Sequence, residues 1–581
     1  MIKRLSLCIR EYKLASILTP LFVSLEVVME VLIPYYMGKL LDLGVTVGDM
    51  NYILKTGGLL VVFCVLSLTF GVLSGKNAAK ASAGFARNLR HDMFHNVQSF
   101  SFSNIDRFSV SSLVTRLTTD VTNLQNAYQM IIRIAVRSPM MLIFSLVMAF
   151  RVNHKLSLIF LCVLPLLAAG LAYIVTHAHP IFERVFKTYD VLNRVVSENL
   201  HGIRVVKAFV REDHEREKFN TVSETIYHDF VSAEKLLALN APLMQFSSYA
   251  TMLLLSWFGA HLIVESGNVP EAGMTTGSLV SLITYSMQIL MTLMMLSMIF
   301  VMLTMSKASA QRIYEVLKED SDLHNPDSPV FEVRDGSVEF DHVSFSYAGD
   351  KDKLCLKDAT FRIESGQTVG ILGATGAGKS TLVQLIARLY DATEGTVKVG
   401  GVNVKRYDLD TLRNEVAMVL QKNVLFSGTI KENLRWGNEN ATDEELEEAC
   451  RLAQADEFIR AFPDGYDTYI EQGGTNVSGG QKQRLCIARS LLKKPKILVL
   501  DDSTSAVDTK TDALIRRAFK QYIPETTKII IAQRVSSVEH ADVILVLEDG
   551  RVDAIGNHET LLATSEIYRE VYESQTKGGG K

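Results

Sequence analysis

Six stretches of this chain are each long and apolar enough to cross a hydrocarbon layer, which takes about 20 residues. They run over 14–37, 57–75, 131–150, 156–176, 241–262 and 277–306, and the last holds no charged residue. Buried core helices of a soluble protein would give similar runs, but not six of them crowded towards one end of 581 residues. The first stretch begins too late and is too long for a cleaved signal peptide, and no small-x-small cleavage site follows it. The expectation is a membrane α-helical domain over 1–318.

Lysine and arginine placement orients it. Lys3, Arg4, Arg10 and Lys13 precede the first stretch. Lys76, Lys80, Arg87, Arg90, Arg107 and Arg116 lie between the second and third, and Arg184, Lys187, Arg194, Arg204, Lys207 and Arg211 between the fourth and fifth. Residues 264–276 carry none. The N-terminus is therefore expected in the cytoplasm. The two inner segments, 77–130 and 177–240, are long, polar and rich in helix formers. They read as helices continuing past the membrane and returning, with short tips near 101–112 and 208–219.

Hydrophobic residues at 48% and charged residues at 21% exclude a mainly disordered chain. A net charge of −4 gives no general attraction for nucleic acid. The six cysteines lack CxxC spacing, so neither a disulfide scaffold nor a zinc site is expected.

Residues 319–332, with Pro326, Pro329 and several aspartates, read as a linker. From 333 to 581 short β-branched strands alternate with helices, as in an α/β domain. Three elements there carry chemistry. A strand over 368–372 runs into Gly373-Ala374-Thr375-Gly376-Ala377-Gly378-Lys379-Ser380 and then a helix from Thr381. This is G-x-x-x-x-G-K-[ST] in its required strand–loop–helix context, in which backbone N–H groups wrap phosphates. Lys379 would reach the terminal phosphates and Ser380 would offer a hydroxyl to Mg²⁺. The run Ile497-Leu498-Val499-Leu500-Asp501 reads as a buried strand ending in a carboxylate that can hold Mg²⁺ through water. Asn476-Val477-Ser478-Gly479-Gly480-Gln481 opens a helix about twenty residues before that carboxylate.

In this order the three elements resemble the ATP-binding cassette family, with Ser478, Gly479, Gly480 and Gln481 in the signature. With six spans ahead of one cassette, the chain looks like a half-transporter of the type I (type IV fold) exporter group, multidrug-type. The resemblance implies six transmembrane helices with long cytoplasmic extensions plus an α/β P-loop domain, and ATP and Mg²⁺ as cofactors. It implies a second half-transporter as partner, because each ATP lies between one chain's phosphate loop and the other's signature. It also implies a hydrophobic or amphipathic drug, lipid or peptide as substrate, in contact with membrane lipid. Tyr347 matches the aromatic that stacks on adenine, Gln421 the glutamine that senses Mg²⁺, and Ser505-Ala506-Val507-Asp508 the D-loop.

Three positions depart from the family. Asp502 stands where a glutamate polarises the attacking water, and its shorter side chain sets the carboxylate back by roughly 1 Å, a misplacement that can cost about 10²-fold in rate. Gln533 stands where the switch loop has histidine, and it cannot carry a charge. Glu471-Gln472-Gly473-Gly474 replaces the usual Gly-Glu-x-Gly. With phosphate loop, Asp501 and signature intact, binding without fast hydrolysis is expected at this chain's own site. The pattern is that of the degenerate subunit of a heterodimeric bacterial exporter in the cytoplasmic membrane, its partner supplying glutamate and histidine. An ATP-gated channel or sensor on the same scaffold is the rival, as is a homodimer that tolerates Asp502 and Gln533.

Inside the spans, Met287, Met291, Met294, Met295, Met298, Met302 and Met305 fall on one stripe of about 100° at helical spacing. They could line a substrate surface, or face lipid or other helices. Glu26 and Glu30 in the first span and Arg133 and Arg137 in the third are each i,i+4 pairs. They could bind each other, or the acids could select cationic substrates.

Overall fold

The computed structural model describes residues 1–269, 273–501 and 508–577. It divides into two compact units: Met1–Gln98 with Val110–Glu319, and Ser99–Ser109 with Asp320–Lys581.

In the first unit, six helical stretches are long and apolar enough to cross a membrane. They are built on α1 (Lys13–Leu40), α2 (Met50–Gln98), α3 (Val121–Val152, continuous with a turn from Val110), α4 (His154–His201), α5 (Glu212–Leu237, leading into Asn240–Ser266) and α6 (Thr276–Lys318). Apolar residues all around several of these helices suit a lipid surround, where the backbone must satisfy its own hydrogen bonds. The helices extend well beyond the apolar stretches. The second tip lies at the short helix Ile203–Ala208, earlier than 208–219. Gly202 ends α4, and the acidic first turn of α5 (Glu212, Asp213, Glu215) favours a helix start there.

Backbone proximity joins α1 to α6. A Cβ on Gly38 would stand 2.6 Å from the Gly277 carbonyl oxygen, so only glycine permits the approach. Ser281 Oγ donates to Pro34 O at 2.7 Å and Tyr285 Oη to Val31 O at 2.8 Å. Asp42 accepts from Gly277 N and Thr275 Oγ1 at 2.8 and 2.6 Å, placing a carboxylate at the positive end of α6. Near the other end of α6, Arg312 binds the fully buried Asp120 through Nε at 2.7 Å, and Ser309 Oγ donates to it at 2.9 Å.

The second unit is built on a six-stranded sheet. Its order is Arg551–Gly556, Val543–Glu548, Thr368–Gly373, Thr527–Ile531, Ile497–Asp501 and Val416–Val419, with only the first of these antiparallel. The central strands are buried on both faces, as continuous Val/Ile/Leu runs require. An antiparallel sheet, including Val338–Phe345 between Leu356–Ile363 and Glu394–Val399, shares their core.

Candidate nucleotide site

Parallel strands align their carboxyl ends, and an open α/β sheet takes its ligands there. Ile531 pairs with both Ile371 and Asp501, and Val419 with Leu500. The register therefore brings Gly373, Asp501, Gln421 and Gln533 to one edge of the sheet.

From that edge the chain turns through Gly376 and Gly378, at φ +88° and +90°, into a helix from Lys379 to Ile386. A Cβ at Gly378 would stand 2.7 Å from Cys355 O in a backbone conformation disfavoured for other residues. The loop, Gly373, Ala374, Thr375, Gly376, Ala377, Gly378, then presents its N–H groups at a helix start. Lys379 Nζ donates to the carbonyls of Gly373 and Ala374 at 2.8 Å each, folding its stem back over the loop. Ser380 Oγ donates to Asp501 Oδ1 at 3.1 Å. A hydroxyl and a buried carboxylate are hard oxygen donors that suit Mg²⁺ held partly by phosphates, and the lysine beside the loop supplies a positive charge for those phosphates.

Tyr347 flanks the loop. Its Oη hydrogen-bonds Thr381 Oγ1 at 3.1 Å and donates to Gln384 Oε1 at 2.9 Å, while 47% of the residue stays exposed. Burial of the inner part pushes the phenol above its ordinary value. The structure thus gathers Tyr347, Lys379, Ser380, Thr381 and Asp501, with Gln421 exposed beyond its strand. Asp502 and Ser505-Ala506-Val507 lie outside the described residues. Asp508 caps the next helix by accepting from Thr511 N at 3.0 Å.

Ser478 opens the helix Gly479–Leu491 with a reciprocal cap: its Oγ accepts from Gln481 N at 3.3 Å and its N donates to Gln481 Oε1 at 2.9 Å. Ser478 and Gly479 are exposed. Among the described residues no hydrogen bond links this helix start to the phosphate loop. The Glu471–Gly474 departure folds as a glycine turn, Gly473 and Gly474 at φ +71° and +68°, with Lys482 Nζ donating to Gly473 O at 2.7 Å.

Two residues escaped the sequence reading. Gln575, near the C-terminus, spans the switch turn: its Nε2 donates to Gln533 O at 2.9 Å and its Oε1 accepts from Val535 N at 2.8 Å. Tyr390, at the far end of the phosphate-loop helix, sits edge-on to Tyr347 with centroids 5.1 Å apart.

Comparison with known proteins bears on the whole chain. Residues 16–294 match the model of the ABC transporter transmembrane region and 356–505 that of the ABC transporter cassette. The uncharacterized ABC transporter ATP-binding protein YfiB of Bacillus subtilis is 37% identical over 98% of this chain and 97% of its own length. The chain belongs to the ABC transporter family. Another relative, the uncharacterized ABC transporter ATP-binding protein Rv1273c of Mycobacterium tuberculosis, is 36% identical over 98% of this chain and 97% of its own. A solved bacterial Atm1-family ABC exporter with ATP bound has 25% identity and a TM-score of 0.79, over 97% of this chain and 98% of that one. This ABC transporter is thus a multi-pass membrane half-transporter of exporter fold, with its cassette fused behind the spans. That scaffold couples ATP hydrolysis to transport and works paired with another half-transporter.

Proposed function

We propose that this half-transporter exports a hydrophobic or amphipathic substrate across the bacterial cytoplasmic membrane, as the degenerate-site subunit of a heterodimer. The observation that carries the reading is the contrast within one site. Lys379, Ser380 and Asp501 are assembled, with Ser380 Oγ 3.1 Å from Asp501, while Asp502 and Gln533 occupy the positions of the base and the switch histidine. The phosphate-loop N–H groups and Lys379 would bind and orient the triphosphate, and Tyr347 would stack on the adenine. Mg²⁺ held near Ser380, Asp501 and Gln421 would supply charge neutralisation for the phosphates. Gln533 can donate a hydrogen bond toward a γ-phosphate but cannot accept and return a proton. The signature, with Ser478 and Gly479 exposed and Gly480 and Gln481 half-buried, would close the partner's competent site with helix N–H groups.

Met287, Met291, Met294, Met295 and Met298 are each at least half exposed, while Leu282, Tyr285, Ile289 and Leu290 of the same helix are buried. Met302 is half-buried and the Met305 side chain lies outside the described residues, but the other five lie outside this chain's own packing, which supports an adaptable apolar surface for substrate. The positive residues of the inner loops support a cytoplasmic N-terminus and cassette.

The test is flux of apolar dyes into inside-out vesicles carrying the co-purified complex. Uptake against a gradient that needs ATP supports export; ATP-dependent leak only down a gradient identifies the channel reading instead.

A further inference from the structure

The segment Ser99–Ser109 joins α2 to the third apolar helix, yet it is part of the cassette's compact unit. Its short helix Phe102–Arg107 starts with a reciprocal cap between Ser101 and Asn104. Asn104 Nδ2 donates to Asp320 O at 3.1 Å, and Ser103 Oγ to Asp322 at 2.6 Å. Beside them, Asp106 Oδ2 accepts from Tyr390 Oη at 2.6 Å, within the range of charge-assisted O–H···O⁻ bonds. Phe102 meets the same tyrosine ring edge-on, centroids 6.0 Å apart.

Tyr390 is nearly buried, and its other neighbours are Phe345 at 5.6 Å and Tyr347 at 5.1 Å, the latter perpendicular. These separations fall in the range where aromatic rings constrain one another's orientation. Tyr347 is fastened to the phosphate-loop helix through Thr381 and Gln384, and Tyr390 lies just past that helix's end. Tyr347 is thus 47% exposed, while its inner side packs edge-on against Phe345 at 4.8 Å and against Tyr390, the ring that holds the tip helix. Burial, and next the Asp106 carboxylate, push the Tyr390 phenol well above its ordinary value, so it remains a donor throughout the physiological range.

We propose that Tyr390 is a positioning residue that reports occupancy of the Tyr347 face by a purine base to the tip helix Phe102–Arg107, so that nucleotide and bare triphosphate have different effects on the segment leading into the spans. The inference rests on the reading of Tyr347 as the adenine platform and adds a residue and a direction of signalling to it. A base that stacks on Tyr347 restricts its ring. That restricts Tyr390, and with it the hydrogen bond to Asp106 and the contact with Phe102. A triphosphate without a base engages the loop but leaves the ring free.

Amide hydrogen exchange on the full chain in lipid nanodiscs reads each part separately. Mg²⁺ with saturating ATP is compared with Mg²⁺ and tripolyphosphate. Both ligands are expected to protect residues 376–381. Only ATP is expected to slow exchange over 102–108, by about fivefold or more, and Tyr390→Phe should cut that difference to under twofold while leaving protection at 376–381 in place. Phe102→Ala should act in the same direction. Equal protection of 102–108 by both ligands overturns the proposal, as does a Tyr390→Phe protein that keeps the full difference. Absence of protection at 376–381 with either ligand overturns instead the nucleotide-site reading on which it stands.

Discussion

Arg137 Nη2 lies 2.6 and 2.7 Å from the two carboxylate oxygens of Glu30, and 3.7 Å from Glu26 one turn earlier on the same helix. The first and third apolar helices are thereby pinned to one another by charges that would be costly in a membrane if left unpaired. Arg137→Ala strands two carboxylates. It should cost roughly 1–3 kcal/mol, below the ~3–5 of a fully buried pair because the arginine side chain is 38% exposed. Thermal unfolding in nanodiscs checks this, and the exchange Arg137→Glu with Glu30→Arg should recover about half. No recovery would mean that the loss reflects packing rather than charge.

Lys379→Ala should abolish ATP binding at this chain's site, since the phosphates lose their positioned counter-charge. Photolabelling by azido-ATP on this chain, resolved from any partner by mass, is the measurement; labelling at the wild-type level would remove the phosphate loop from the mechanism.

Purified as a verified homodimer, the chain should turn over ATP well below about 1 s⁻¹, an order under the median enzyme. Asp502→Glu with Gln533→His should raise that rate by tenfold or more, by restoring the reach of the base and the charge of the switch residue. Steady-state phosphate release decides it, and a fast unmodified homodimer would favour the reading that Asp502 and Gln533 suffice.

In the heterodimer the two faces of this cassette should differ in weight. Gly480→Asp puts a carboxylate beside the partner-bound γ-phosphate and should reduce hydrolysis by the complex at least about a hundredfold, the scale of losing a transition-state donor. Asp502→Ala should cost less than about threefold. Equal damage from the two substitutions would leave the sites symmetric and end the degenerate-site proposal.

Gln575→Ala frees the switch turn. Losing about 1 kcal/mol of hydrogen bonding corresponds to roughly fivefold faster exchange at the Val535 amide. Gln575→Glu keeps an acceptor for Val535 N and loses only the donor to Gln533 O, so the Val535 amide should stay better protected than in Gln575→Ala.

The parts of this molecule that were legible beforehand are those whose chemistry is local. The phosphate loop declares itself in eight consecutive residues, and the spans in unbroken apolar runs. The Glu26/Glu30 and Arg133/Arg137 pairs were visible as i,i+4 repeats, but not which arginine would close. Arg137 takes Glu30, while the Arg133 guanidinium lies near Gly75. Tyr390 and Asp106 stand 284 positions apart and Gln575 and Gln533 stand 42 apart, and neither pair has a spacing rule to reveal it. The second tip was placed several residues late because Gly202 inside a helix-forming stretch reads as a tolerated glycine until its role in ending α4 is seen. The alignment of Gln421 and Gln533 beside Asp501 came from resemblance, and strand register supplies its physical basis.

Helix α2 contains no proline along its 49 residues, so no proline kink interrupts a length of about 74 Å, and it can act as a single lever. Turned by about 5° around its midpoint, it moves either end by roughly 3 Å, the length of one hydrogen bond. It works as a lever of equal arms. A displacement at the tip too small to break more than one contact appears undiminished at the opposite end, with no need for any helix to bend.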